Sequence, residues 1–303
     1  MHRLVIFSLV LFSSISIAEM FGQTSTVLEG AYIPDGAYIR TGNLGKRVIR
    51  YPHLREADVM YTKRVWQVID FKEKINQPFY YPLKPIKSST FELRNLFDVI
   101  RKALLSPEIQ TLTAYGLGPA ADDDLFRFPL SFSQVDSILN PPRPVTIYDE
   151  EGFAKTGIRE EIGIEMVPKP LESSDIVALK IKEDWIWDRQ RGERYVRIIG
   201  IAPMIRVEAV DGTTLPPREL FWLYYPHARY VLAHADCFNP MNDASRRTFE
   251  DIFQKRFFNS YIVKESNVYN RTIQSYARGA DALAESERIK EELFLLEHDL
   301  WHY

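Results

Sequence analysis

Residues 177–188, VALKIKEDWIWD, are followed, after a turn over residues 189–192, by residues 195–202, YVRIIGIA, and the reading of this pair decides the fold class. In the first segment Val177, Leu179, Ile181, Trp185 and Trp187 fall at alternate positions. In an extended chain that spacing puts them on one face. The intervening residues 189–192 end in Gly192, a residue tight turns favour, so the two segments predict a β-hairpin. Working outward, residues 220–225 and 228–233 predict a second strand pair joined through a turn at Pro226. Residues 145–148 and 162–167 predict two shorter strands.

Away from this centre the hydrophobic period lengthens. Over residues 53–75 Leu54, Ala57, Tyr61, Val65 and Val68 recur at helical spacing between Pro52 and Pro78, which predicts a helix; its inner part, YTKRVWQV, also alternates as a strand would. Residues 89–105 predict a helix opened by a Ser89/Glu92 capping box, with Leu93, Leu96, Phe97, Ile100 and Leu104 on one face and Pro107 after its end. A short helix is expected over residues 133–139. Another is expected from Asn242 or Asp243 through Phe257, and a last one over residues 280–300 after Gly279. Strands bracketed by helical segments imply an α+β fold: central antiparallel hairpins flanked by N-terminal and C-terminal helices, within a domain spanning residues 53–303. Residues 24–52, rich in Gly, Pro and Tyr, lack periodicity and predict an extended arm, a kind of segment that often orders against a partner.

The first 23 residues carry a different signal. His2 and Arg3 precede an apolar run over residues 4–17 that is shorter than the roughly 20 residues a bilayer span needs. Ser16-Ile17-Ala18 and Gly22-Gln23 are candidate cleavage points, so residues 1–23 are expected to be a secretory signal peptide. No Cys stands there to take a lipid. The 38 basic and 41 acidic residues give a formal net charge of −3, which argues against nucleic acid as a partner, because phosphate binding needs a basic surplus. The single cysteine, Cys237, excludes an internal disulfide. It is either a small buried hydrophobe or the donor of an intermolecular disulfide.

Motifs for catalysis are weak. The glycines form no phosphate-binding loop. His298 and His302, four apart, match the spacing of paired zinc ligands, and Glu297 is adjacent, but Asp299 stands where a zinc protease motif has Glu. His at a helix C-terminus also suits the helix dipole without a metal. His234, Asp236 and Cys237 are near one another in sequence, but on a strand His234 and Cys237 point to opposite faces. The acidic pairs and runs, Asp122–Asp124 and Glu183–Asp184 among them, read as solvated surface. Aromatic residues clustered with arginines suit a protein-contact surface, and Trp222, Tyr225, Arg246, Arg247, Arg256, Phe257 and Tyr261 are the expected partner-binding residues. No catalytic, cofactor-binding or metal-binding residue is assigned.

Three long stretches carry a family resemblance: ADVMYTKRVWQVIDFKEKINQPFYYP (57–82), KEDWIWDRQRGERYVRIIGIAP (182–203) and RRTFEDIFQKRFFNSYIVKESNVYNR (246–271), the last continuing into GADALAESERIKEELFLLEHDLW (279–301). LFWLYYP (220–226) fits as well. Together they resemble the GldN/PorN family of gliding-motility-associated proteins of Bacteroidota. The resemblance implies a non-enzymatic periplasmic subunit of the type IX secretion system. Such a subunit forms a ring with the lipoprotein GldK/PorK beneath the outer membrane, self-associates within it, and contacts the periplasmic part of GldM/PorM. The alternatives from other classes are an envelope metal-dependent hydrolase built on His298, His302 and Glu297, and a peptidoglycan-binding module using exposed Trp and Tyr.

Overall fold

The structure, a computed structural model, describes residues 45–87, 91–106, 112–119, 123–148, 161–208, 213–242 and 244–299. Internal contacts divide the chain into two units. Asn43–Ile86 with Glu92–Tyr303 form one; Met1–Gly42 with Lys87–Phe91 form the other, of which only Lys87 and Phe91 are described. The expected signal peptide and most of the expected arm lie outside the described residues.

The larger unit is α+β, as expected. Its seven-stranded antiparallel sheet is built on three long strands: β1 (Val59–Asp70), β5 (Ile176–Asp188) and β6 (Glu193–Glu208). Around them lie β2 (Ala114–Tyr115), β7 (Thr214–Glu219), β8 (Trp222–Tyr224) and β11 (Tyr261–Glu265). The strand order is β11-β1-β5-β6-β8-β2, with β7 also paired to β6. The predicted hairpin is β5–β6. The shorter pair is also present, as β3 (Pro142–Tyr148) against β4 (Glu161–Pro168). Val177 does not share the face of Leu179 and Ile181: a register shift between Ile176 and Ala178 gives the core position to Ile176.

Among the described residues six helices accompany the sheet: α1 (Gln77–Tyr80), α2 (Leu96–Leu105), α3 (Phe132–Leu139), α4 (Tyr225–Leu232), α5 (Phe249–Gln254) and α6 (Ala280–Asp299). The main core sets Ile69, Leu179, Ile181 and Ile201 of the sheet against Phe79, Ile100, Leu232 and Phe253 of the helices. A second core on the same strands packs Val65, Trp187 and Ile262 against Ile289 and Leu293 of α6. That helix also guards the β11 edge. Ser286 accepts the backbone N–H of Ile262 at 2.8 Å, a donor that an open edge would leave for another chain.

Four element expectations are corrected. Residues 59–70 are a strand, because Val65 and Tyr61 pair across to Glu183 and Trp187 while Trp66 and Val68 face the other side. Ladder bonds to two neighbours outweigh a helical spacing that β-branched Val and Ile favour only weakly. The second helix begins at Leu96, not near Ser89, which is outside the described residues. Its N-cap is Asn95, whose side chain accepts the Asp98 N–H at 2.8 Å, and Glu92–Leu93 is extended. Residues 225–232 are helical instead of the return strand of a hairpin. Pro226 sits in the first turn, where its missing N–H costs nothing. The helix expected from Asn242 or Asp243 starts only at Phe249, after a Thr248/Asp251 capping box, because Arg247–Thr248 (β10) pair with Asp236–Cys237 (β9).

The end of the expected arm lies against the body. Lys46 Nζ donates to Thr248 Oγ1 at 2.7 Å and pairs with Asp251, both in the α5 capping box. Arg229 donates to Ile49 O at 2.8 Å and stacks over Tyr51 at 4.2 Å, and Arg197 donates to Pro52 O at 2.6 Å.

One packing detail carries a stability prediction. A Cβ built on Gly200 would stand 2.6 Å from Phe126 Cζ and 3.1 Å from Trp222 Cε3. Gly200→Ala is expected to destabilise the domain by about 1–3 kcal/mol in urea unfolding. Adding Phe126→Leu, which vacates the space, should recover part of that loss.

Candidate functional site

Successive residues of β5 build two polar sites on opposite faces of the sheet. Strand alternation sends Glu183 toward the helices, and Lys182 and Asp184 the other way. Glu183 is fully enclosed. Its Oε1 accepts from Arg256 Nη1 at 2.7 Å. Its Oε2 accepts from Arg256 Nη2 at 3.2 Å, Gln67 Nε2 at 3.1 Å and Trp185 Nε1 at 3.1 Å. Ser260 Oγ donates in turn to Gln67 Oε1. The guanidinium lies 5.1 Å from the Phe258 ring.

The helix α5 aims this arginine. It ends in a Schellman turn: Phe257 N–H reaches Ile252 O at 3.0 Å and Arg256 N–H reaches Phe253 O at 3.2 Å. Arg256 therefore occupies the left-handed position, with φ 53°, that Gly usually fills. A non-glycine residue there is strained, and the strain is offset by the paired carboxylate.

On the opposite face lies a cleft of about 690 Å³. Its floor is the sheet row Lys264–Trp66–Lys182, aligned across β11, β1 and β5. Lys264 Nζ stands 4.6 Å over the Trp66 ring, and Lys182 Nζ 5.7 Å from it. Lys182 is 2% exposed. Its ammonium donates to Asp124 O at 2.8 Å and pairs with Asp124 Oδ1 at 3.3 Å, while the Trp66 indole N–H donates to Asp124 Oδ2. Burial pushes the Lys182 pKa down and the Asp124 charge draws it back up. Phe126, at φ 57°, inserts its ring beside Lys182, Trp222 and Tyr224 and seats it over Gly200. At the rim Arg64 binds Asp184 through two bonds of 2.6 and 2.8 Å, and Lys180 pairs with Glu219. Neither Glu183–Asp184 nor Asp124 is the solvated acid expected. Each is bonded by a cation, Glu183 inside the protein and Asp124 and Asp184 in half-buried positions.

The expected partner-binding residues separate into two sets. Trp222 and Tyr225 are enclosed, 2% and 1% exposed, and Tyr261 is half-buried beside Val68 and Met204. Arg256 is committed to Glu183. Phe257 is 45% exposed with the Arg247 guanidinium 5.1 Å above its ring, and Arg246 is half-buried beside it in sequence, so these three offer surface. Cys237 is buried, with Sγ donating to Pro78 O at 3.2 Å, and burial pushes its thiol up to about 12. His234 is exposed, with Nδ1 2.7 Å from Tyr230 O, so thiol and imidazole engage different partners. Of the metal candidates, Glu297 pairs with Arg194 at 2.6 Å, His298 stands in the last turn of α6, and His302 lies outside the described residues. Among the described residues no group of three potential metal ligands is assembled. Sequence reasoning missed Lys182, Glu183, Trp66 and Asp124. The one signal was charge set inside a hydrophobic strand.

Fold and site together define an α+β protein with a seven-stranded antiparallel main sheet, cross-linked through its interior by ion pairs and carrying a cationic, aromatic cleft. The model of the family described as gliding motility associated protein GldN matches residues 54–302, and the chain belongs to that family. Among curated proteins none matches. Membership makes it a component of the gliding-motility and type IX secretion apparatus, a family of structural parts with no known enzyme activity. Among the described residues no helix is long and apolar enough to cross a membrane.

Arg256→Met should cost about 2–4 kcal/mol in chemical denaturation by leaving Glu183 unpaired, the exposed edge of the guanidinium moderating the loss. Arg256→Gly relieves about 1 kcal/mol of backbone strain, so it should be the milder variant yet remain less stable than the parent. The Cys237 thiol should resist alkylation at pH 8 in the native protein and react fully in guanidinium. Because its folded pKa of about 12 exceeds the ordinary 9.0, folding retains the proton, and this contribution to stability falls as pH rises through that window.

Proposed function

We propose that this protein is a non-enzymatic periplasmic subunit of the type IX secretion system, forming a ring with the lipoprotein GldK/PorK and contacting the periplasmic region of GldM/PorM. The GldN match over residues 54–302 carries this reading. The signal-type N-terminus supports export, and in this reading the lipoprotein partner holds the subunit at the inner face of the outer membrane. A ring requires a heterologous interface that closes, and therefore two different surfaces on each subunit. The Arg247–Phe257 stack, with Arg246, is the proposed centre of one such surface, since arginine and aromatic residues supply most hot spots.

Co-expression with the lipoprotein partner, followed by co-purification and negative-stain imaging, tests the reading. Closed particles containing both chains are expected. Phe257→Asp should weaken assembly by about 2 kcal/mol or more while the circular dichroism of the isolated chain stays unchanged. A folded chain that ignores the lipoprotein would overturn the assignment.

A further inference from the structure

The cleft on the Trp66 face is separate from the Arg247–Phe257 surface and carries an unbalanced charge. The chain as a whole has a formal net charge of −3, yet this lining holds five basic residues against three acidic ones. Each acid is already matched: Asp124 to Lys182, Glu219 to Lys180, and Asp123 to Arg127 at 3.2 Å. Arg64 is matched by Asp184, which lies outside the lining. Lys264 is left over. Its ammonium rests on the Trp66 ring, and among the described residues no carboxylate pairs with it. The same lining presents apolar groups to solvent, Leu125 at 52% and Phe128 at 43% exposed.

The inner end of the cleft shows what these groups accept. Asp124 puts a carboxylate between the Lys182 ammonium and the Trp66 indole N–H, and two residues later Phe126 fills the adjoining aromatic niche beside Trp222 and Tyr224. An acidic residue followed at i+2 by an aromatic one is thus bound there by the chain's own loop. Lys264, the exposed end of Arg127 and the apolar rim repeat that chemistry farther out. We propose that the cleft binds an extended acidic peptide segment of a partner protein, one that alternates carboxylates with aromatic or aliphatic side chains. A volume of about 690 Å³ lies within the range of specific ligand pockets and accommodates a few residues of such a segment. An anionic lipid headgroup would match the charge but leave the apolar rim and the depth of the cleft unused.

This inference stands on the cleft alone and does not depend on ring assembly. The test is fluorescence anisotropy of the full chain with a labelled ten-residue peptide of alternating Glu and Phe, alongside the same peptide with Gln for Glu. The Glu peptide is expected to bind, more weakly as salt rises, and the Gln peptide at least tenfold more weakly. Lys264→Met and Arg127→Gln, neither of which removes a buried ion pair, should each weaken the Glu peptide severalfold and together at least tenfold. Lys264→Glu should bind a Lys/Phe peptide more tightly than the parent does, a gain that no folding defect can imitate. Equal binding of the Glu and Gln peptides, or an unchanged affinity in the double variant, overturns the proposal. So does Lys264-dependent capture of phosphatidylglycerol vesicles without peptide binding. Co-purification with the lipoprotein is measured separately, so failure here leaves the assembly reading standing.

Discussion

A carboxylate without solvent access on a central strand imposes the strictest condition in this molecule. Enclosing the Glu183 carboxylate costs little only if its surroundings replace the water it has lost, and four donors do so: two from Arg256, one from Gln67 and one from Trp185. These donors come from β1, from β5 itself and from the turn after α5, so satisfying one carboxylate fixes how three parts of the fold meet. The left-handed Arg256 is the visible consequence. A glycine would end the helix with less strain but would bring no cation to the strand. Ser260, just before β11, extends the same network through Gln67 to the edge of the sheet.

Because β5 alternates faces, the residues on either side of Glu183 serve the other surface. Lys182 reaches Asp124, Asp184 holds Arg64, and the loop carrying Asp124 and Phe126 is drawn onto the sheet. The cleft and the core network are thus tied through one strand, with cation–carboxylate matching on both faces. A buried ion pair contributes little net stability compared with apolar packing, but breaking one is costly. Such pairs specify register instead. A one-residue slip of β5 would put Glu183 beside Asp124 and leave Lys182 among the helices.

For a member of the GldN family, a family of structural components, this construction keeps the elements in one fixed arrangement. The apolar core is divided between two clusters on the helical face, and the polar locks lie between them. The free edge strand is sealed by Ser286 of α6, which discourages uncontrolled strand addition and leaves side-chain surfaces to carry specific contacts.

Family membership, the α+β class, the β5–β6 hairpin and the C-terminal helix were legible in the sequence, since each rests on local periodicity or on long motifs. The strand at residues 59–70 and the helix at 225–232 were not. There the local pattern permits either state, and the choice falls to ladder partners on both sides of β1 and to the burial of Arg229 against Glu250, contacts made 21 or more positions away in the chain. The same limit applies to the site. Sequence alone gives Lys182, Glu183 and Asp184 as adjacent charges, which ordinarily lie in water. Only the folded sheet, by burying two of them and bringing Asp124 and Arg256 from 58 and 73 positions away, turns that run into a cleft floor and a core lock. Charge pairing across such distances has no periodic trace, because it depends on which strands become neighbours.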